Sequence, residues 1–388
     1  MKRFPISMIV LVVLVLTGSL FIGPVQAGSA SPAAKKSPAA PAAPAAPDWQ
    51  KKWDALVAAA KKEGKVTVYV GESPPEVRTE VTKAFKDKYG ITVDFLAGRA
   101  AEVTARLQSE KNAGLHMADA IILGDTNWFG DIRPMKITAP LDPLLILPEV
   151  KDPTKWRGDK LPMMDDTHQA LAFATIASQY YTVNQEMVKE GDLTTVTDLL
   201  KPAWKGKIVI NDPTISGNGS AWFTFVVVKA LGEEKGKQFM RDLVKQEPVI
   251  SRDNRQMIEW VARGKYPVAV GATAGISISF IKQGAPVRMV RVKDGIVLTT
   301  GIGIAMVTNY APHPAAAQVF ANWLLSKEGG TVWSQAYGYP STRLDVSTKG
   351  FLPEIIPLPT DIYPDEAYII KKVETRKLAA EIFGSLIK

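Results

Sequence analysis

Apolar residues recur with two different periods along most of the chain. Apolar positions three or four residues apart predict helices with one buried face, as in the segment between Asp48 and Gly64. Short runs rich in Val and Ile, such as residues 66–71 and 118–125, predict strands that are covered on both faces. Because strands and helices take turns, the pattern predicts an α/β fold with parallel strands and right-handed crossovers.

Two apolar segments, residues 170–184 and 297–309, are unusually long for single strands and lie where two blocks of alternating strands and helices meet. This arrangement predicts two α/β lobes joined by a two-strand hinge. We assign residues 48–178 together with 302–388 to the first lobe and residues 179–301 to the second. Ligands of open α/β sheets bind beyond the carboxyl ends of the strands. We therefore expect an interlobe ligand cleft that closes by hinge motion.

The N-terminal residues have the pattern of a secretory signal peptide. Two basic residues precede an apolar stretch from Ile9 to about Ile22, and a small-x-small cleavage site ends at Ala27, so we predict a cleavable signal over residues 1–27. The alternative is an uncleaved anchor, although the stretch is short of the roughly 20 residues that span a membrane. Residues 28–47 are nearly all Ala, Pro, Ser and Lys, which predicts an extended linker.

Composition narrows the possible chemistry. The 388 residues include no cysteine, which excludes disulfides, thiolate metal sites, cysteine nucleophiles and a lipoprotein anchor. The net charge is +8, but half of it comes from the first 47 residues, which contain four basic residues and no acidic one. Basic residues elsewhere are interspersed with acidic ones, so we do not expect a nucleic-acid partner.

Motifs for enzymatic chemistry are missing. The three histidines, His116, His168 and His313, are scattered and have no metal-ligand spacing. The sequence contains no G-x-S-x-G elbow and no complete G-x-G-x-x-G. The sequence therefore predicts no enzyme, no cofactor and no metal site.

Several blocks of sequence together resemble one known family. They are VYVGES, GRAAEVTARLQSEKNAGLHMADAIILGD, KPAWKGKIVINDPTISGNGS, MIEWVARGKYPVAVG and APHPAAAQVFANWLLSKEGGTVWSQAYGYPS. Over nearly all of residues 50–350 the chain resembles periplasmic solute-binding proteins of ABC transporters, of the type 2 periplasmic-binding-protein fold and the iron(III) branch. The blocks with W-K-G-K-I and N-W-L-L-S-x-E-G-G are the most specific.

The resemblance implies a periplasmic protein that captures a small solute and delivers it to a membrane permease driven by a separate ATPase. We expect a monomer. A ligand-loaded sensor subunit that docks on a membrane receptor is an alternative, because the sequence does not separate importer from sensor. A transferase that resembles porphobilinogen deaminase is excluded, since that family attaches its cofactor through cysteine.

The resemblance to the iron(III) branch also makes ferric iron a candidate solute. Ferric-iron binders of this branch use two consecutive tyrosines after the strand that matches YPVAVG, but here Ala272, Thr273, Ala274 and Gly275 follow it. The adjacent Tyr180 and Tyr181 lie in a predicted strand, where alternate side chains point to opposite faces. We instead predict an oxyanion-bearing organic acid or a phosphonate-like anion as the solute, held by the loop at residues 216–220 with Arg99 and Arg252. Ferric iron or an iron chelate is the alternative.

The predicted ligand site lies at strand ends. The loop at residues 216–220 presents backbone N–H groups at a helix N-terminus, which favours an anion, although an ordinary helix cap has the same residues. Arg99 and Arg252 follow strands, and guanidinium groups suit oxyanions, although such arginines are usually surface residues. The predicted ligand residues are Ser73, Arg99, Asp125, Asn127, Trp128, Tyr180, Ser216, Gly217, Asn218, Gly219, Ser220, Arg252, Asn254 and Thr273.

Overall fold

A computed structural model describes residues 47–177, 181–215, 217–358 and 360–387. The predicted signal peptide and nearly all of the predicted linker lie outside the described residues, as do Tyr180 and Ser216. The helices are α1 (Asp48–Glu63), α2 (Pro75–Tyr89), α3 (Ala100–Asn112), α4 (Asp125–Asn127), α5 (Arg133–Met135), α6 (Pro148–Lys151), α7 (Asn218–Phe225), α8 (Glu233–Val244), α9 (Asn254–Ala262), α10 (Ala274–Lys282), α11 (Pro314–Leu325), α12 (Lys327–Tyr337) and α13 (Glu366–Phe383).

The strands fall into two larger sheets and one small sheet. They are β1 (Lys65–Gly71), β2 (Thr92–Gly98), β3 (Ala120–Leu123), β4 (Leu171–Ala172), β5 (Ile176–Ala177), β6 (Tyr181–Asn184), β7 (Ile208–Asn211), β8 (Val249–Ser251), β9 (Val268–Val270), β10 (Val287–Val290), β11 (Leu298–Thr299) and β12 (Ile304–Val307). The first large sheet has the order β2-β1-β3-β12-β4, and the second has the order β10-β6-β9-β7-β8.

Each large sheet has three neighbouring parallel strands on one side, as the alternating pattern predicts. Strand β1 pairs in parallel with β2 and β3, and β7 pairs in parallel with β8 and β9. Two further strands run the other way, since β12 is antiparallel to β3 and β6 is antiparallel to β9. These strands enter their sheets from the opposite lobe, so they run against the strands that belong to β–α units.

The predicted two-strand hinge is confirmed. Strand β5 pairs with β11 in an antiparallel two-stranded sheet between the two large ones. The long apolar segment at 170–184 supplies β4 to the first sheet, β5 to the hinge and β6 to the second sheet. The segment at 297–309 returns through β11 in the hinge to β12 in the first sheet. Each segment is long because it crosses from one lobe to the other.

The first sheet is covered on both faces. Val66, Val68 and Val70 are fully buried in one apolar cluster with α2 and α11 residues, while Tyr69 points into a second cluster. The second cluster continues into the other lobe and includes Phe383 of α13. Alternate residues of β1 therefore serve two cores, as expected for a strand buried on both sides.

The last helix, α13, packs on the second lobe. The Phe383 ring meets Phe223 of α7 edge-on, with centroids 6.2 Å apart, and the Thr375 and Thr224 hydroxyls are 2.7 Å apart. The sequence-based assignment places residues 302–388, which include α13, in the first lobe, and it does not anticipate this packing on α7. The lobe boundaries stay a prediction. Among the described helices, none combines the length and hydropathy of a transmembrane span.

Candidate functional site

A cavity of about 400 Å³ lies where the two lobes, the hinge and α13 meet. The first lobe contributes the residues after β3, the second lobe contributes the start of α7, and the hinge contributes β11 with Gly301. One side of α13 forms the remaining wall. The volume lies in the usual range for small-molecule sites, roughly 300 to 1,000 Å³, and residues from both lobes line it.

The segment after β3 is tied to the hinge. The backbone N–H of Asp125 donates to Thr300 Oγ1 at 3.0 Å, and the Asp125 carboxylate accepts the N–H of Thr126 at 2.6 Å. A side chain at Gly124 would come within 2.3 Å of the Gly301 carbonyl oxygen, so only glycine allows this close approach. Asp125 and Asn127 thus face the cavity from a segment held by the hinge.

The start of α7 was predicted to offer free backbone N–H groups to an anion, but two of them are used internally. The Gly219 N–H donates to Asn211 Oδ1 at 3.0 Å, and the Gly217 N–H donates to Ser220 Oγ at 3.2 Å. A Cβ at Gly219 would lie 2.1 Å from the Asn211 carbonyl oxygen, so packing requires this glycine. Gly217, Asn218 and Ser220 line the cavity, and Gly219 lies behind them.

Arg252 pairs with a buried carboxylate instead of projecting into the cavity. Its Nε donates to Asp212 Oδ2 at 2.8 Å, and the Asp212 side chain is fully buried. Burial raises the pKa of Asp212, but hydrogen bonds from Thr214 and Arg252 outweigh this effect and hold the pKa below its ordinary value. The pair therefore holds the chain between β7 and α7.

Arg99 has a partner on its own helix. Its side chain is 77% exposed and its Nη2 lies 2.7 Å from Glu102 Oε1 at the start of α3. Ser73, in the loop before α2, accepts hydrogen bonds from Arg78. Neither Arg99 nor Ser73 lines the cavity.

Three other predicted residues have structural contacts. Trp128 is fully buried and its indole N–H donates to Asp165 at 3.1 Å, so it packs inside the first lobe. The Thr273 N–H donates to Asn254 Oδ1 at 3.1 Å, and the Thr273 hydroxyl accepts from Asn218 at 3.3 Å. These contacts link the starts of α7, α9 and α10. Trp128, Arg252, Asn254 and Thr273 do not line the cavity.

The α13 wall of the cavity carries charged residues that were not among the predicted site residues. Lys372 and Arg376 line the cavity, together with Glu366 at the start of the helix. Glu366 pairs with Arg133 of the first lobe at 2.5 Å, and Lys372 Nζ lies 3.4 Å from Thr126 Oγ1. In the sequence, the signal for this wall is that Lys372 and Arg376 are basic and lie four positions apart, on one face of a helix. The sequence pattern does not show that this helix packs beside the cleft.

The described residues contain no cluster of histidines and carboxylates suited to a metal ion. No group of three or more His, Asp or Glu side chains comes close enough to hold an ion within them. Tyr337 and Tyr339 lie near the hinge with ring centroids 4.3 Å apart, and burial raises the pKa of both hydroxyls. The Tyr181 hydroxyl accepts a hydrogen bond from the Trp222 indole at 2.8 Å. Without a metal ion, burial thus favours the neutral phenol form of Tyr337 and Tyr339.

Comparison with known proteins gives a family and a fold. A family model described as bacterial extracellular solute-binding protein matches residues 80–355. A protein of Haemophilus influenzae, described as uncharacterized, is 26% identical over 303 residues, which cover 72% of this chain and 79% of that protein.

Two solved structures illustrate the fold. Iron-bound HitA from Pseudomonas aeruginosa matches with a TM-score of 0.59 and 19% identity, over 82% of this chain and 99% of that one. The periplasmic binding protein AfuA from Actinobacillus pleuropneumoniae, with fructose-6-phosphate bound, matches with a TM-score of 0.56 and 20% identity, over 84% of this chain and 99% of that one.

Proposed function

We infer the function from one premise, namely that the chain belongs to the bacterial extracellular solute-binding proteins. Such proteins are the substrate-binding components of ABC transporters and deliver their solute to the membrane permease. Within this role we propose that the chain captures a small organic anion. The solute binds in the cavity between the lobes, and closure about the β5–β11 hinge retains it until the permease receives it.

The observation that carries this proposal is the composition of the cavity wall. Asp125 and Asn127 of the first lobe face Asn218 and Ser220 of the second across a volume of about 400 Å³ that the hinge strand β11 borders. A ligand that contacts both lobes favours the closed arrangement over the open one, because its contacts with both lobes form only on closure. We propose these four side chains as ligand contacts, together with Gly217.

The anionic character of the solute follows from the charges at the cavity. Lys372 and Arg376 line it, and neither has an acidic partner among the described residues. Glu366 is neutralised by Arg133, which leaves Asp125 as the acidic residue that faces the cavity with no basic partner in the described chain. An anion is therefore the better match. AfuA, whose structure has fructose-6-phosphate bound, is an example of this fold with an organic anion bound to it.

Isothermal titration of the exported protein tests the proposal. The panel contains fructose 6-phosphate, succinate, citrate, methylphosphonate, neutral fructose and ferric chloride. We expect binding of at least one organic anion with a dissociation constant in the micromolar range or below, and no binding of fructose. Tight binding of a neutral sugar, with no anion bound, would contradict the anionic assignment and leave the solute-binding role intact.

Ferric iron is the second candidate, because HitA is described as iron-bound. The described residues do not favour it, since Ala272, Thr273, Ala274 and Gly275 follow β9 and no cluster of His, Asp or Glu side chains is present there. A visible charge-transfer band on addition of ferric chloride, from tyrosinate ligands, would support this candidate over the organic anion.

We also propose that the protein reaches the periplasm through the signal peptide predicted at residues 1–27. Cleavage after Ala27 leaves the linker and the two lobes free of the apolar stretch. Mass spectrometry of the intact exported protein measures this directly. A mass that includes residues 1–27 would favour the anchored form instead.

A further inference from the structure

We propose that α13 carries the charge-recognition residues of the cleft, and that Lys372 and Arg376 together bind the two negative charges of an organic dianion, such as a phosphomonoester or a short dicarboxylate. This inference rests on the proposed solute-binding function and specifies its ligand class. In this proposal, residues of α13 bind the charge of the solute, in place of Arg99 and Arg252 at the strand ends.

The first argument is that these two cations lack carboxylate partners. Among the described residues, the Lys372 ammonium makes one hydrogen bond, to the Thr126 hydroxyl at 3.4 Å, and Arg376 makes no hydrogen bond or ion pair. By contrast, Lys371 on the exposed side of the same helix pairs with Glu374 at 2.7 Å. Because like charges four positions apart on a helix repel each other, the pair at 372 and 376 is unfavourable without an anion between them.

Neither acidic residue of the cavity forms an ion pair with Lys372 or Arg376 in the described chain. Glu366 pairs with Arg133 on the first lobe. The Asp125 carboxylate accepts hydrogen bonds from the Thr126 N–H at 2.6 Å and from the Thr300 hydroxyl at 3.4 Å. Both carboxylates are thus held by neighbours on the first lobe and the hinge. The two cations of α13 are left to pair with a ligand.

The spacing of the cations selects a dianion. Positions i and i+4 of a helix lie on one face, about 6 Å apart along the axis. Two cations at that separation can each contact one carboxylate of a short diacid, or can converge from two sides on a single phosphate group. Phe129, Leu298 and Ile369 line the same cavity and provide apolar surface for the carbon skeleton.

The helix is placed to connect ligand recognition with lobe closure. On its buried side, Thr375 contacts Thr224 at 2.7 Å and the Tyr368 hydroxyl donates to the Ala221 carbonyl at 3.3 Å. These contacts hold the cations at a set position relative to the start of α7, which lines the same cavity. A dianion bound by α13 and α7 would also lie beside the residues after β3, which line the same cavity and which Lys372 reaches at Thr126.

Charge-removing variants of the full exported protein test the proposal. Lys372→Gln and Arg376→Gln are compared with Lys377→Gln, an exposed lysine of the same helix that does not line the cavity. Titrations use fructose 6-phosphate, glycerol 3-phosphate, succinate and malate as dianions, gluconate as a monoanion and fructose as a neutral solute. The thermal midpoint of each variant, measured without solute, verifies that it is folded.

We expect wild-type protein to bind at least one dianion and to bind gluconate more weakly. Each cavity variant should lose about tenfold or more in affinity, as for loss of a charged hydrogen bond, and Lys377→Gln should change it less than about twofold. Lys372→Arg, which keeps the charge, should retain most of the affinity.

Contrary outcomes separate the two proposals. If a dianion binds and both cavity variants bind it as tightly as wild type, α13 is not the recognition element and the proposed function stands. If no dianion of the panel binds, the ligand class proposed here is wrong. Binding of fructose alone would in addition overturn the anionic solute under the proposed function.

Discussion

Asp212 fixes the chain between β7 and α7. The residues at the start of α7 that line the cavity follow this segment. Its two carboxylate oxygens accept from the Thr214 N–H at 2.9 Å, the Thr214 hydroxyl at 2.7 Å and Arg252 Nε at 2.8 Å. The neighbouring Asn211 side chain accepts the Gly219 N–H. Two adjacent polar residues thus determine where Gly217, Asn218 and Ser220 stand at the cavity wall.

Asp212→Asn should destabilise the protein. The amide replaces one acceptor oxygen with an NH₂ group, which faces donors from Thr214 or Arg252, so a buried donor is left without an acceptor. We expect the free energy of unfolding in urea to fall by about 2 kcal/mol, as for a lost hydrogen bond to a charged group. Asp87→Asn, which removes an exposed pair with Lys83, is the control and should cost less than about 1 kcal/mol. Equal losses in the two variants would contradict the structural role.

The stabilisation by Asp212 should depend on pH. Its folded-state pKa lies below the ordinary value, so the folded protein binds fewer protons than the unfolded chain in the acid range. The contribution is therefore complete above the unfolded pKa of about 4 and is lost as the pH falls through the folded pKa. Urea denaturation at pH 6, 5, 4 and 3 should show the gap between wild type and Asp212→Asn narrowing with acidity. A gap that stays constant from pH 6 to pH 3 would rule out this linkage.

At the residue scale the sequence located the cavity wall in part. Asp125, Asn127 and Asn218 were predictable because each follows a buried strand or opens a helix at a strand end, and they line the cavity. Arg252 follows a strand as well, but its partner Asp212 lies 40 positions earlier in the chain. Pairing between distant side chains depends on the sheet order, which the local pattern does not contain.

At the scale of elements, α13 is held mainly by its apolar side. Phe383 is fully buried against Phe223, and Tyr368 and Ile369 are also buried. In the sequence, the apolar spacing of Ile370, Leu378 and Ile382 predicts a helix with these residues on one face. Ile370 is nevertheless 53% exposed. The buried side instead includes Thr375, whose hydroxyl bonds with Thr224, so apolar periodicity misses a polar residue in the interface.

Phe383→Ala should loosen α13 from the second lobe. Removing a fully buried aromatic ring leaves a cavity, and such substitutions cost about 3 kcal/mol or more. Ile370→Ala on the same helix is the matched control and should change the free energy of unfolding by less than about 0.5 kcal/mol, because its side chain is largely exposed. Urea denaturation measures both. Similar stabilities of the two variants would show that the interface does not anchor the helix.

At the scale of the whole molecule, two crossings between the lobes define the hinge. Strand β5 carries the chain from the first sheet toward the second, and β11 carries it back. After the return, Gly301 has φ 55° and a Cβ there would lie 2.9 Å from the Tyr337 hydroxyl. The two-lobe arrangement was predictable because both crossing segments are long and apolar. The position of α13 was not, because its packing partner α7 lies some 150 residues earlier in the chain, as the Thr224–Thr375 contact shows.

Hinge closure can be measured directly because the sequence has no cysteine. Cysteines introduced at the exposed Lys111 of α3 and the exposed Lys245 at the end of α8 place one fluorophore on each lobe. Closure on a dianionic solute should raise the efficiency of energy transfer in proportion to site occupancy, because the lobes approach each other. Fructose should leave the efficiency unchanged, and Arg376→Gln should shift the response to higher solute concentration. A saturated cleft with unchanged transfer would mean that the solute binds without moving one lobe relative to the other.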